Sequence, residues 1–308
     1  MKPLTSQQIR GTWGTVLLPI NADETIDYAR LGDEIDTLIA ARVDGLYTNG
    51  TAGEFHTQTE DEFDRIQALF AERCERAGMP FQIGASHMSP QLSLNRVRRS
   101  VALRPGAFQV ILPDWVTAGH DEAVSFLSRI AEAADGIGLV LYNPPHAKRV
   151  LDMAAIGALK RAVPALVGAK VLDGNPSWYG ALRAHTTDLS IFVPGHHLAS
   201  GFLQGASGSY SNVACLSPAG SVRWWKLMQT DIAAAQDIER RLIDFFASHI
   251  APIGQAGYSN PALDKLLAEI GGWADVGLRL RWPSKYLAQA EADRLKPIAR
   301  AMVPEMFA

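Results

Sequence analysis

Three residues, Lys170, Tyr142 and Thr51, have side chains of the types that act on carbonyl compounds, and each lies at or just beyond a predicted strand end. Lys170 interrupts the apolar run from Ala165 to Leu172, where a lone charge enters a core. Burial disfavours the ammonium form and lowers the pKa of a lysine, so its amine becomes nucleophilic enough to form an imine with a carbonyl group. A lysine whose ammonium reaches solvent from the strand end is the alternative interpretation.

Strand alternation predicts that Tyr142 lies beside Lys170. Alternate residues of a strand share a face, so Lys170 lies on the same face as Gly168, and Tyr142 on the same face as Val140 and Gly138. If both faces line a barrel, a phenol that relays protons lies next to an imine-forming amine, and Gly168 leaves space beneath the lysine. The alternative is an aromatic residue at a strand end before a rigid Asn-Pro-Pro loop.

A glycine-containing loop, Asn49-Gly50-Thr51-Ala52-Gly53-Glu54, follows the second predicted strand. Glycines allow backbone N–H groups and the Thr51 hydroxyl to approach a small anion, such as a substrate carboxylate, near the start of a helix. A tight strand-to-helix turn explains the same glycines without any ligand.

Along the sequence, short apolar runs alternate with longer amphipathic stretches, and these segments must position the three residues. Two of the amphipathic stretches are the predicted helices Thr25–Ala41 and Glu60–Ala77. This rhythm predicts parallel strands joined by helices, and eight repeats in roughly 220 residues is the size of a (β/α)8 TIM barrel. A doubly wound open sheet is the alternative. The predicted strands are Thr15–Leu18, Gly45–Asn49, Phe81–Gly84, Ala107–Leu112, Gly136–Tyr142, Leu166–Val171, Ser190–Val193 and Ser207–Ser211.

The strand signals stop after about Ser217, and the rest of the chain has helical patterns. We therefore expect a barrel over residues 1–220 and a helical extension over residues 221–308 that packs on it. Active sites of such barrels lie at the C-terminal ends of the strands, where Lys170, Tyr142 and Thr51 are predicted to meet. The helices predicted in the extension are Pro218–Ile250, Asn260–Ile270 and Ser284–Met302.

Composition excludes several classes of protein. The 308 residues include 29 basic and 32 acidic side chains, so a formal charge of -3 gives no attraction for nucleic acid. Cys74 and Cys215 are far apart and form no metal-binding spacing, which favours a reducing cytoplasm. The N-terminus lacks the apolar core of a signal peptide, and no run reaches the roughly 18 apolar residues of a membrane span. We expect a cytoplasmic protein without membrane partners.

Taken together, the motifs resemble the dihydrodipicolinate synthase/N-acetylneuraminate lyase superfamily of Schiff-base-forming class I aldolases. The resemblance implies that Lys170 forms the imine, that Tyr142 shuttles protons, and that Thr51 and Ala52 bind the carboxylate of a 2-oxo acid. It also implies no cofactor and a homotetramer or homodimer. The matching segments are Gly50-Thr51-Ala52-Gly53-Glu54, with Asn49 before it, Tyr142-Asn143-Pro144-Pro145, Gly168-Ala169-Lys170, Gly195, and Gly205-Ala206-Ser207-Gly208-Ser209-Tyr210-Ser211.

Three positions depart from that family's pattern. Ala52 stands where a second Thr or Ser is usual, and Trp115 stands where many members have a tyrosine that a neighbouring subunit contributes to the proton relay. Ala147 replaces the arginine that dihydrodipicolinate synthases use for the aldehyde's carboxylate, and Lys148 and Arg149 are offset from that position. Dihydrodipicolinate synthase activity itself is therefore not expected.

Three further residues are candidates for substrate contact. His196 is expected to hydrogen-bond substrate hydroxyls or the strand end, because the adjacent His197 diverges from it and no third ligand is spaced for a metal. Tyr210 is either a substrate contact or part of the barrel filling, and Trp115 is either a pocket wall or an interface residue.

The predicted function is a lyase that forms an imine between Lys170 and pyruvate or a 2-oxo-3-deoxy sugar acid, with aldol cleavage or condensation as the leading reaction. Dehydration of such an acid and a hydratase-aldolase reaction on an aromatic pyruvate adduct are alternatives. A non-catalytic 2-oxo-acid-binding protein on the same scaffold is the alternative from another class.

Overall fold

Eight parallel strands form a closed barrel in which each strand pairs with the next and β8 pairs with β1. The computed structural model describes residues 1–172, 175–210 and 212–308. The predicted TIM barrel is confirmed, and the open sheet is wrong. The strands are β1 Gly11–Thr15, β2 Gly45–Tyr47, β3 Phe81–Gly84, β4 Ala107–Val110, β5 Gly138–Tyr142, β6 Leu166–Lys170, β7 Ser190–Phe192 and β8 Gly208–Tyr210.

The first strand was misplaced in the prediction, which put it at Thr15–Leu18. The strand is Gly11–Thr15, and the apolar run that follows it is a buried loop, because Leu17 packs against the C-terminal helices. Trp13 pairs with Gly45, where a Cβ atom would lie 2.5 Å from the indole ring, so glycine in β2 makes room for Trp13. Ser211, at the end of the eighth predicted strand, lies outside the described residues.

Caps determine where two predicted helices begin and end. The helix predicted over Thr25–Ala41 begins at Tyr28, because the Asp27 carboxylate accepts hydrogen bonds from the first-turn N–H groups. Glu60–Ala77 is confirmed, with a capping box at Thr59. The helices are α1 Tyr28–Ala40, α2 Glu60–Ala77, α3 Pro90–Ser100, α4 His120–Ala133, α5 Met153–Ala162, α6 Pro176–His185, α7 Leu198–Leu203, α8 Asn212–Leu216, α9 Pro218–Thr230, α10 Ile232–Phe245, α11 Ala251–Gln255, α12 Asn260–Gly271 and α13 Gln289–Met302.

The helix predicted over Pro218–Ile250 is interrupted at Asp231, whose side chain caps α10. A short π-helical turn, Phe246–Ile250, follows α10. Helix α9 spans residue 220, where we predicted the boundary between barrel and extension, so that boundary falls inside a helix and stays a prediction. No helix in the described part of the chain has the length and apolarity needed to cross a membrane.

The C-terminal helices cover the ends of the strands. One apolar core lies between the barrel and its surrounding helices, and a second joins barrel-mouth residues such as Leu17 and Ala52 to Phe245 and Leu266 of α10 and α12. This second core includes the loop that follows β2. The extension therefore covers one side of the barrel mouth, where the strands end.

Candidate active site

A cavity of about 290 Å³ opens at the C-terminal ends of the strands. Its walls come from the strand ends and from the π-helical turn and α12 of the C-terminal extension. The sequence-predicted residues that line it are Lys170, Tyr142, Thr51, Ala52, His196 and Tyr210.

Lys170 lies among three tyrosine rings at the base of this cavity. It pairs with Tyr142 in the β5–β6 register, as the alternation predicted. Its Nζ donates a hydrogen bond to the Tyr47 hydroxyl at 3.3 Å and lies 4.4 Å from the Tyr142 ring centroid, 5.3 Å from that of Tyr47 and 5.6 Å from that of Tyr210. Aromatic faces attract cations, so this arrangement stabilises an ammonium group.

The electrostatics of Lys170 differ from the expectation of a lowered pKa. Burial by itself lowers the Lys170 pKa, but Tyr47, Tyr142 and the Asp264 carboxylate act in the opposite direction, and the net pKa is raised. Phenols carry no charge at neutral pH, so Asp264 is then the nearby anion that favours the ammonium. Burial alone would therefore lower the Lys170 pKa, and the favourable partners oppose that effect.

The loop after β2 has the features needed to bind a carboxylate. The Thr51 hydroxyl donates to the Tyr142 oxygen at 3.3 Å. The N–H groups of Thr51 and Ala52 donate to no described residue, which leaves them available to an anion. A Cβ atom at Gly53 would lie 3.0 Å from the Val16 carbonyl oxygen, so glycine allows this loop to pack close to the end of β1.

His196 is neutral and presents a hydrogen-bond donor. The Asn212 Oδ1 accepts from the Val213 N–H, so the amide Nδ2 faces His196 Nδ1 at 2.9 Å. Because an amide nitrogen only donates, Nδ1 is the acceptor and the proton is assigned to Nε2. Burial lowers the His196 pKa to about 4, with a further contribution from His197, and the ring stacks on Phe246. Among the described residues, no group of three potential ligands is arranged to hold a metal ion.

Three predicted binding residues lie outside the cavity. Asn49 is buried, and its side-chain oxygen accepts a hydrogen bond from Gln58 at 3.0 Å, while Gly50 provides space beside the Tyr47 ring. Trp115 is 80% exposed, with the Lys148 ammonium 5.0 Å from its ring centroid. In the single chain, Asn49 and Gly50 shape the loop and Trp115 lies on the surface, so the assignment of these three residues to substrate binding stays a prediction.

The sequence interpretation missed Tyr47 and the residues that α12 contributes. Tyr47 lay within the predicted second strand and alternates with Gly45, so its position facing the barrel interior was detectable. Asn260, Leu263 and Asp264 reach the cavity only because α12 folds over the strand ends. Burial raises the pKa of Asp264 to about 6, against the lowering effect of Lys170 and of a hydrogen bond with Cys215.

A family model and one relative resemble this chain over nearly its full length, and another relative resembles about half of it. A family model described as the dihydrodipicolinate synthetase family matches residues 8–302. The 4-hydroxy-tetrahydrodipicolinate synthase of Thermomicrobium roseum is 30% identical over 311 residues, which cover 93% of this chain and 92% of the relative. The trans-O-hydroxybenzylidenepyruvate hydratase-aldolase of Sphingobium xenophagum is 26% identical over 180 residues, which cover 56% of this chain and 53% of the relative.

Several solved structures have the same fold. One of them is a prophage protein of the dihydrodipicolinic acid synthase family from Escherichia coli K12, in complex with pyruvate. The TM-score is 0.84 at 20% identity, and the match covers 96% of this chain and 98% of that chain.

Proposed function

Because the chain belongs to the dihydrodipicolinate synthetase family, we propose that it cleaves a 2-oxo-3-deoxy sugar acid through an imine on Lys170. Its membership confirms the prediction of a lyase of the class I aldolase type. The products of the proposed reaction are pyruvate and an uncharged aldehyde. The reverse reaction, aldol condensation, uses the same groups.

The observation that carries the proposal is the position of Lys170 Nζ, which hydrogen-bonds Tyr47 and lies against the Tyr142 ring inside a cavity that Thr51 also lines. In the proposed reaction, Nζ bonds to the carbonyl carbon and water leaves, giving a protonated imine. The C3–C4 bond then breaks, its electrons move through C3 into the imine, and the C4 hydroxyl loses its proton as the aldehyde forms. Protonation of C3 and hydrolysis of the imine release pyruvate.

The charges along the cavity support an uncharged aldehyde fragment. Among the described residues that line it, Lys170 is the single lysine or arginine, and Asp264 carries the opposite charge. Arg149 lies in an adjoining cavity, where its Nη1 donates to the Ala118 carbonyl oxygen at 2.9 Å. A second carboxylate or phosphate on the substrate therefore has no cationic partner beside the imine. The same reasoning argues against dihydrodipicolinate synthase activity.

The apolar part of the cavity favours one alternative. Phe246, Ile250 and Leu263 form a wall on which an aromatic group would pack, as an aromatic pyruvate adduct requires. A hydratase-aldolase reaction on such an adduct uses the same imine and is the second candidate. The alternative of a non-catalytic 2-oxo-acid-binding protein is disfavoured by the tyrosine oxygen that hydrogen-bonds Lys170.

Borohydride trapping tests the imine. The protein is incubated with pyruvate, reduced, digested and analysed by mass spectrometry, with Lys170→Ala as the control. We expect a pyruvate-derived adduct on Lys170 that is absent from the variant. Trapping elsewhere, or equal trapping in the variant, contradicts the proposal. A panel of 2-oxo-3-deoxy acids and aromatic pyruvate adducts, assayed for pyruvate and for loss of water, then separates cleavage, dehydration and the hydratase-aldolase reaction.

We also retain the cytoplasmic homodimer or homotetramer as part of the proposal. The exposed apolar pair Trp115 and Val116, which are 80% and 79% exposed in the single chain, supports the self-association.

A further inference from the structure

Tyr47 is held in place by contacts on several sides of its ring. It ends β2 and pairs with Thr15 of β1 and with Gln82 of β3. A Cβ atom at Gly50 would lie 2.7 Å from Tyr47 Cε2, so the glycine leaves the space that the ring occupies. The Tyr210 ring meets the Tyr47 ring edge-on, with 4.7 Å between the centroids, and Tyr47 is 2% exposed. Packing in the barrel interior therefore fixes the position of the Tyr47 hydroxyl.

That hydroxyl is the tyrosine oxygen that the Lys170 nitrogen contacts. Lys170 Nζ donates to it at 3.3 Å. The Tyr142 oxygen instead accepts a hydrogen bond from the loop after β2, and it is the Tyr142 ring that faces Nζ. The Tyr210 hydroxyl donates to the Gln82 side-chain oxygen at 2.7 Å. Of the three tyrosines around Lys170, Tyr47 is thus the one whose oxygen lies at the imine-forming atom.

A phenol in this position can pass a proton on, because its oxygen accepts one hydrogen bond while its O–H group donates another. The Tyr47 oxygen accepts from Lys170, and its own proton is donated to no described residue. The hydroxyl lines the same cavity as Lys170, so a substrate oxygen can receive that proton. Catalytic hydrogen bonds are often long before substrate binds and shorten in the complex, which suits a distance of 3.3 Å.

Imine formation requires such a proton transfer. When a free amine adds to a carbonyl carbon, the nitrogen holds one proton too many and the oxygen becomes an alkoxide. Both atoms are bonded to the same carbon, so a direct hydrogen bond between them would be strongly bent and weak. An O–H group that bridges the nitrogen and the oxygen gives the proton a path with better angles.

The electrostatics of Tyr47 are compatible with this path. Burial raises the Tyr47 pKa, against the lowering effect of Lys170, so a free phenolate is disfavoured at neutral pH. A hydroxyl that takes up one proton while it gives up another never becomes a phenolate. Tyr47 also supplies a hydroxyl in a site where Ala52 lines the cavity without one.

We propose that Tyr47 relays a proton between the Lys170 nitrogen and the carbonyl oxygen of the substrate when the imine forms and when it is hydrolysed. This inference rests on the proposed function. The Lys170 ammonium first loses a proton to solvent, and the free amine bonds to the carbonyl carbon. One N–H proton then passes to the Tyr47 oxygen while the Tyr47 proton passes to the substrate oxygen, which becomes the carbinolamine hydroxyl.

The remaining steps restore Tyr47 and balance the charge. A proton returns from solvent to the carbinolamine hydroxyl, which leaves as water, and the nitrogen lone pair forms the protonated imine. Overall, an ammonium and a carbonyl group give a protonated imine and one water molecule, and Tyr47 ends as it began. Hydrolysis of the imine follows the same steps in reverse.

The test compares the rates at which wild type and Tyr47→Phe form the borohydride-trapped adduct at saturating pyruvate and pH 7. Phenylalanine keeps the ring and removes only the hydroxyl. Tyr258→Phe is the matched control, because its ring also lies beneath a lysine ammonium, Lys285, away from the cavity. Thermal unfolding and pyruvate affinity are measured for each variant.

Two roles of Tyr47 predict opposite changes in this rate. If its oxygen only favours the ammonium, a fall of about one unit in the Lys170 pKa gives about ten times more free amine, and Tyr47→Phe is faster by that factor. Loss of a proton relay slows the reaction by about 100-fold. We therefore expect Tyr47→Phe to be about 10-fold slower at pH 7, with unchanged pyruvate affinity, and Tyr258→Phe to match the wild type.

Two results overturn the relay while leaving the proposed function intact. One is a Tyr47→Phe variant that forms the adduct at least as fast as the wild type, which means that Tyr47 only holds the ammonium. The other is a slower variant whose pyruvate affinity falls by the same factor, which means that Tyr47 is a binding contact. If the wild type forms no adduct with pyruvate, the proposed function is wrong and the relay is rejected with it.

A measurement on the wild type decides if Tyr47→Phe does not fold. A hydroxyl relay moves two protons in one step, so the rate of adduct formation should fall along a curve as the fraction of deuterium oxide in the solvent rises. A straight-line dependence means that a single proton moves in that step, and it overturns the relay.

Discussion

Glu54 and Lys265 form a buried ion pair, at 2.7 Å, between helix α12 and the loop that we propose binds the substrate carboxylate. Glu54 ends the Gly50–Glu54 motif and has a left-handed backbone conformation with φ of 51°. Burial lowers the Lys265 pKa and Glu54 opposes that effect, so the Lys265 ammonium depends on Glu54 to remain charged. The pair joins the barrel to the extension beside the candidate active site.

Breaking this pair should destabilise the protein strongly. Lys265→Met leaves an unpaired buried carboxylate, and such a loss costs about 3–5 kcal/mol in the free energy of unfolding. The double variant Glu54→Gln with Lys265→Met should recover part of that loss, because no buried charge remains. Urea unfolding at pH 7 measures both. As a control, Arg240→Ala removes an ion pair with Asp237 whose side chains are 63% and 52% exposed, and its cost should stay below about 1 kcal/mol.

Tyr47→Phe should lower the pKa of Lys170. The variant keeps the ring but removes the oxygen that accepts the Lys170 hydrogen bond. A loss of about 1.4 kcal/mol of ammonium stabilisation corresponds to a shift of about one pH unit. The alkaline limb of the trapping rate is the rise in rate as Lys170 loses its proton at high pH. This limb should then move to lower pH. Tyr258→Phe is the matched control, because its ring also lies beneath a lysine ammonium, Lys285, away from the cavity.

An unchanged alkaline limb in Tyr47→Phe would contradict the interpretation that Tyr47 holds Lys170 in its ammonium form. A shift of the same size in Tyr258→Phe would show that the measurement responds to something other than the local hydrogen bond.

Glu34 should make the folded protein less stable as the pH rises. Burial raises its pKa to about 8, from an ordinary value of 4.5, against the lowering effects of the Leu17 N–H and of Lys265. The folded state therefore binds more protons than the unfolded state between these two values, and the contribution to stability is present at low pH and is lost as the pH rises through about 8. The slope is at most about 1.4 kcal/mol per pH unit.

The measurement compares wild type with Glu34→Gln by chemical unfolding from pH 5 to pH 8. Glutamine keeps an oxygen that can accept from the Leu17 N–H, at 2.7 Å in the wild type, and removes the titration. The stability of the wild type relative to the variant should fall with rising pH. A difference that is constant with pH contradicts a raised Glu34 pKa.

Trp115 should contribute to self-association. It is 80% exposed beside Val116, which also lines a groove between α3 and α4, and large exposed apolar groups mark interaction surfaces. Trp115→Glu should reduce the mass measured by sedimentation equilibrium. Trp282, which is 78% exposed elsewhere, provides the matched control, and Trp282→Glu should leave the mass unchanged. A wild-type monomer, or equal masses for wild type and Trp115→Glu, contradicts this role.

The local part of the candidate active site was predictable because strands impose a period of two. That period placed Lys170 beside Tyr142, and the structure pairs them in register. The glycines around Thr51 likewise indicated a tight loop, because backbone geometry is also a local property of the sequence. By contrast, the apolar run Val16–Leu18 has the composition of a strand but is a buried loop: Val16 and Leu18 pack in the core between the barrel and its surrounding helices, and Leu17 packs against the C-terminal helices. A periodic pattern of apolar residues indicates that a segment is buried, but it does not indicate which helix or strand covers that segment.

The sequence by itself therefore determined the eight-stranded barrel, its family and the identity of the proposed imine-forming lysine. Only the tertiary structure decided the environment of that lysine. Three rings from different strands surround Lys170, and two of them, Tyr47 and Tyr142, together with a carboxylate from a helix near the end of the chain, raise its pKa where burial alone would lower it. Electrostatic interactions depend on distance in space, and residues 170 and 264 line the same cavity only because α12 lies over the strand ends.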